Sequence, residues 1–207
     1  MPPPIAWADP PMHIPFAAAV AGGLGLLAFE PSWWVVPRVV AEGTALVMCL
    51  RGVPFVAPPA VLAAALLALN GHAHGAGAEF DDALHVLSAG MWAGGILALA
   101  SLRPPDGWRG GEARALLERF GRIAFIAFGI TALTGLLRAT EQLNAVGDLW
   151  TTTYGLVLSF KSVGVLVMLA LSTLAWRRGL PVAGVEAGVA VVVVGATALL
   201  AAFPLPA

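Results

Sequence analysis

Apolar residues run through this chain in continuous blocks of about 16 to 23 residues, separated by short segments that collect most of the charge and proline. Seven such blocks occupy 14–29, 33–50, 53–69, 84–102, 117–137, 154–176 and 182–203. A bilayer core of about 30 Å takes about 20 mostly apolar residues per helix, so each block is a candidate transmembrane helix. A membrane barrel would instead show segments of about 10 residues alternating between lipid-facing and lumen-facing side chains. The pattern therefore predicts an all-α, polytopic transmembrane bundle of about seven spans. The connections are too short to hold a soluble domain, which makes residues 1–207 a single membrane domain. The first block is short and follows proline-rich sequence, which leaves an interfacial or re-entrant placement open there.

Composition sharpens this picture. The chain is 59% hydrophobic and 11% charged, with a mean hydropathy of +0.86. A soluble domain carries about 25% charge, so less than half the usual charge is available to keep a surface wet. The net charge is −1 and the 11 basic residues are spread thinly, leaving no basic stripe for nucleic acid. The single cysteine, Cys49, excludes an intrachain disulfide framework and a metal cage built from cysteine alone. The opening MPPPIAWADPPMH has no Lys or Arg ahead of the first apolar block, so no cleaved secretory leader is expected.

Basic residues also orient the bundle. Arg51, Arg103, Arg109, Arg114, Arg177 and Arg178 fall in the second, fourth and sixth connections, which are expected to be cytoplasmic. The opposite connections hold Glu30, then Glu79, Asp81 and Asp82, then Glu141 and Asp148, with Arg138 as their one base. An odd number of spans then places the N-terminus inside and the C-terminus outside.

Ionisable residues within apolar blocks need a partner, a wet cavity or a function, because a charge near the bilayer centre costs about 2.5–3.5 kcal/mol on insertion scales. Arg38 and Glu42 stand four apart and on one helix face, where they can pair; an internal ion pair and a transport role are both open. Lys161 lies two turns into its block and either snorkels or meets an anionic group. Glu186 lies near the inner end of the last block, within reach of headgroups.

Three of the four histidines gather on the expected outer side. His72 and His74 form GHAHG at the end of the third block, and His85 opens the fourth after the acidic run EFDD. Imidazole binds copper, zinc and haem iron, and His-x-His in extended backbone turns both rings to one side. His72, His74 and His85 could therefore converge on one ion, with Glu79, Asp81 or Asp82 orienting the rings or adding ligands. On a regular helix, His85, Ser88, Trp92 and Ile96 share a stripe, with Trp92 two turns below His85. Gly90, Gly94 and Gly95 permit close helix approach. Sulfur ligands are few: Met48, Cys49, Met91 and Met168.

The runs HVLSAGMWAGGILAL, RFGRIAFIAFGITALTGLLRA and LWTTTYGLVLSFKSVGVLVMLALSTLAWRR, followed by a span bearing Glu186 and closing in FPLPA, resemble the copper-resistance D (CopD) family of bacterial inner-membrane proteins. The resemblance covers roughly 70–207, beginning with the GHA of Gly71 to Ala73; the part up to Arg51, including blocks 14–29 and 33–50, lies outside it. It highlights His85, Trp92, Gly94, Gly95, Phe120, Gly135, Tyr154, Gly155, Lys161 and Glu186. It implies copper handling in the plasma membrane, usually uptake from a periplasmic copper-binding partner, and a bundle similar to that of di-haem membrane cytochromes. Seven spans are about one fewer than a full-length member has.

The leading expectation is a non-enzymatic copper-binding or copper-transport protein that receives the ion at His72, His74 and His85, with Met91 and Trp92 on the way in. No phosphate-binding G-x-x-x-x-G-K-[ST] run is present, so movement would be downhill, ion-coupled or handed over by a partner. One rival is a membrane electron-transfer protein with His72 and His85 as axial ligands of haem b. The other is a structural subunit of a respiratory or oxygenase complex.

Overall fold

The computed structural model describes residues 7–29, 32–68, 75–143, 145–178 and 183–202. Among them every regular element is helical: α1 His13–Phe29, α2 Val35–Leu50, α3 Ala57–Ala68, α4 Ala76–Ala89, a π-helical turn Gly90–Gly94, α5 Gly95–Ser101, α6 Gly111–Gln142, α7 Asp148–Thr151, α8 Thr153–Arg178 and α9 Ala183–Ala202. The all-α membrane bundle expected from the apolar blocks is the architecture observed. Among the described residues, three continuous helical stretches are long and apolar enough to cross a membrane: Gly77–Ser101, Gly111–Thr140 and Thr153–Leu174. His13–Phe29 and Ala57–Ala68 are shorter apolar helices.

The chain divides into two compact units. Within Pro11–Gly90, α1 packs on α2, α2 on α3 and α3 on α4. Local chemistry sets the turns. Gly52 follows α2 with φ +65°, its N–H donates to the Cys49 carbonyl at 3.1 Å, and Val53 N–H donates to the Met48 carbonyl at 2.9 Å. That left-handed residue satisfies the last carbonyls of α2 without the clash a Cβ would bring. Pro58 and Pro59 then occupy the first turn of α3, where a missing N–H leaves no intrahelical bond unmade.

The second unit comprises Met91–Ala207 together with Met1–Pro10. Here α9 packs against both α8 and α5, α7 folds onto α8, and α6 touches α8. Its core joins Trp92, Ile96, Ala124, Ala127, Met168, Ala190 and Val193, flanked by Phe120 and Phe128. Trp92 meets Phe128 edge to face, with ring centroids 5.0 Å apart. On α6 the buried positions Ala113, Ala124, Ala127 and Thr134 recur at helical spacing, and the half-buried Phe120, Thr131 and Arg138 continue the same stripe. The opposite stripe, including Phe125, Ile126 and Leu133, is 60–73% exposed, as a lipid-facing surface would be.

Five hydroxyl groups are satisfied within their own helices. Thr44, Thr131, Thr134, Ser162 and Thr197 each donate to the carbonyl four residues earlier, at 2.7–2.9 Å. Such back-bonding lets a polar side chain sit in an apolar medium without an unmet donor.

Close approach of backbone explains two of the glycines that the family resemblance highlights. A Cβ on Gly95 would strike the Phe120 ring, and one on Gly155 would strike the Asp148 carbonyl where α7 folds back on α8. The ring can move; the carbonyl belongs to a turn held by Thr152 Oγ1, which donates to the same Asp148 oxygen at 2.8 Å. Gly155→Ala is therefore expected to lower stability by about 1–3 kcal/mol, the range for overpacking, and by more than Gly95→Ala. Thermal unfolding of both variants in mild detergent checks the order.

Candidate functional site

Residue by residue, the structure changes the surroundings of the histidine cluster. His85 is the tenth residue of α4 and does not open the helix, because the acidic run before it is itself helical from Ala76. Glycine permits this start: Gly75 sits at φ +107°, ahead of the first turn, and its carbonyl accepts the Glu79 N–H at 3.0 Å. Glu79, Asp81 and Asp82, expected in a connection, therefore lie on α4. Asp81 and Asp82 stand four and three residues before His85, one helical turn away and on its side of the helix. His85 is half-buried, and its carbonyl accepts a hydrogen bond from Ser88 Oγ at 3.1 Å. His72 and His74 lie outside the described residues, and among those described no three His, Cys, Asp or Glu side chains gather as a metal-binding group.

The stripe from His85 through Trp92 presupposes an unbroken α-helix, and Gly90–Gly94 form a π turn instead. A π turn closes i→i+5 bonds, so the offset from His85 to Trp92 no longer follows the 3.6-residue period. Ser88, Trp92 and Ile96 are all buried, at 4%, 4% and 3% exposure. The sulfur residues separate: Met168 is fully enclosed in the core of its unit, Met91 is 55% exposed, and Met48 and Cys49 are half-buried at the end of α2.

Arg38 and Glu42 pair as their spacing requires, with Nε and Oε1 3.2 Å apart and both residues buried. Gly23 of α1 lies directly over them. A Cβ there would come within 3.0 Å of Glu42 Oε2 and 3.5 Å of Arg38 Nη2. The pair thus lies at the packed α1–α2 contact, and Glu42 Oε2 accepts no hydrogen bond among the described residues. Lys161 is half-buried on α8, with no carboxylate within 4 Å among the described residues. Glu186 stands in the first turn of α9.

Sequence reasoning missed three features. Arg138, assigned to a connection, belongs to α6 and lies on its buried stripe; the apolar block ends at residue 137, while the helix runs to Gln142. The N-terminal segment is anchored, since Trp7 Nε1 donates to Glu112 Oε2 at 3.2 Å and the Trp7 ring meets Trp108 edge to face at 6.4 Å. Glu118 pairs with Arg114 at 3.2 Å on the exposed first turns of α6. Only the last carried a signal, its i,i+4 spacing.

Comparison with known proteins places a family on this architecture. The sequence model of the family described as copper resistance protein D matches residues 114–200, from the start of α6 to near the end of α9. Phe120, Gly135, Tyr154, Gly155, Lys161 and Glu186 fall inside that match, whereas His72, His74, His85, Trp92, Gly94 and Gly95 precede it. The chain is also similar to the copper transport protein CutJ of Bacillus subtilis (strain 168), at 34% identity over 96 residues. That alignment takes in 45% of this chain and 18% of the relative, so the chain spans less than a fifth of the protein it matches. No solved structure matches. Over residues 114–200, the helices α6 to α9, this chain is similar to the copper resistance D (CopD) family.

Proposed function

We propose that the protein binds copper and moves it across a bacterial plasma membrane, without catalysing a reaction. The observation that carries this reading is the CopD match over α6–α9, a segment that itself contains two helices of membrane-crossing length. The copper-transport name of the similar Bacillus subtilis protein supports it. Copper, the cargo, would enter at an outer site formed by His85 with His72 and His74. The carboxylates of Asp81 and Asp82, one turn from His85, suit the role of orienting its ring. A periplasmic copper-binding protein or a larger membrane complex would be the partner. The direct test is copper entry into proteoliposomes that carry the purified chain and an enclosed copper indicator. Entry above that of protein-free vesicles is expected, and equal rates would contradict transport.

The topology proposed is seven spans with the N-terminus inside. The anchoring of Trp7 on Trp108 and Glu112 supports it, because residue 7 then shares a side with the connection before α6. Between the two lie α1, α2, α3 and the continuous α4–α5 helix, and if each of these four crosses, the chain returns to the side of residue 7. With Cys49 replaced by Ala, a cysteine at position 76 or 144 is expected to react with an impermeant thiol reagent in sealed cells. One at Gly110 should not react. Labelling at Gly110 would reverse the orientation.

A further inference from the structure

The exposed side of α6 carries two arginines that no carboxylate answers among the described residues. Arg119 and Arg122 are exposed, three residues apart on the stripe that continues through Phe125, Ile126 and Leu133, opposite the buried stripe of Ala124 and Ala127. Neither has a carboxylate within 4 Å among the described residues. The nearby acids are engaged elsewhere, Glu118 by Arg114 and Glu112 by Trp7.

Length then fixes what can meet them. From Arg122 to Arg138 the helix holds only the apolar run 123–137, about 22 Å at 1.5 Å per residue, against a hydrocarbon core of about 30 Å. One flanking guanidinium or both must therefore start within the hydrocarbon boundary and reach out of it. Arg138 lies on the core-facing stripe and is half-buried by protein. Arg119 and Arg122 are exposed on the opposite side, and Trp108 in the preceding connection is the kind of residue that marks the interface level. Long arginine side chains snorkel toward headgroups, and a guanidinium fork matches phosphate oxygens two at a time.

We propose that Arg119 and Arg122 form a binding site for the phosphate of an anionic phospholipid in the leaflet at the N-terminal end of α6. The lipid answers two charges that no carboxylate answers among the described residues, and it holds the depth of α6. The site stands apart from the histidines and does not depend on copper.

The test is native mass spectrometry of the full chain, released from mild detergent containing equal amounts of phosphatidylglycerol and phosphatidylcholine. A basic residue near the surface contributes about fivefold to anionic-lipid binding, so a preference of up to about 25-fold for phosphatidylglycerol is expected. R119Q/R122Q should bring it close to parity, and each single change should remove about fivefold. R103Q/R109Q, in the connection before α6, should keep most of the preference. Should the double glutamine variant fail to elute as a monodisperse protein, the single variants carry the same comparison. Absence of a preference in the unaltered chain would overturn the proposal, as would a preference that survives R119Q/R122Q. Displacement of the lipid by millimolar inorganic phosphate would show a simple anion site and would overturn it too.

Discussion

Replacing Arg38 by Leu is expected to destabilise the protein by about 3–5 kcal/mol, and replacing Glu42 by Leu by a similar amount. Each change leaves the other charge buried without its counter-ion, which is the costly way to break such a pair. Both residues are less than one-tenth exposed, and Gly23 of α1 closes over them, so little water can enter to compensate. Removing both together strands no charge and replaces the pair with apolar volume, so the double variant should recover most of the loss. Thermal unfolding in mild detergent across the four proteins gives the coupling directly. Losses that add in the double variant would show that the two side chains stabilise the fold independently.

The i,i+4 spacing made that pair legible from sequence, but nothing in the sequence pointed to Gly23, because its role depends on how α1 meets α2. The same division runs through the rest of the fold. Long apolar runs identified the helices, since only a helix meets every backbone hydrogen bond inside a bilayer. Their ends were less legible. Hydropathy stops where charge begins, whereas the backbone continues helical through Glu79, Asp81 and Asp82 in α4 and through Arg138 to Gln142 in α6. The π turn at Gly90–Gly94 has no signal beyond its glycines, and it alters the helical offset between His85 and Trp92. Gly155 was highlighted by resemblance, and its physical reason, the Asp148 carbonyl beside it, appears only when α7 is folded onto α8.

Substituting His85 by Ala is expected to give the largest functional loss. Altering a group that merely supports a ligand costs about 10–100-fold in metal affinity, so removing a ligand itself should cost at least the upper end of that range. If His72 and His74 complete the same site, His72→Ala and His74→Ala should show losses of similar size, and acidification should weaken binding because copper needs neutral imidazole. Asp81→Asn and Asp82→Asn should cause smaller losses, as expected of groups that orient the ring from one turn away. A haem pair at His72 and His85 gives a different signature: His85→Ala abolishes a Soret band while His74→Ala spares it. Equilibrium copper titration of the unaltered protein and the three histidine variants distinguishes these patterns. Unchanged affinity and stoichiometry in all three would end the outer-site reading while leaving the CopD match of α6–α9 in place.

Copper binding is tested at its simplest by the metal content and visible spectrum of the full chain purified in mild detergent after growth with copper. Copper is expected in stoichiometric amount, with no Soret band, and is expected to be lost in His85→Ala. A Soret band with haem in place of copper would contradict it, as would a protein that carries neither and fails to take up copper when titrated.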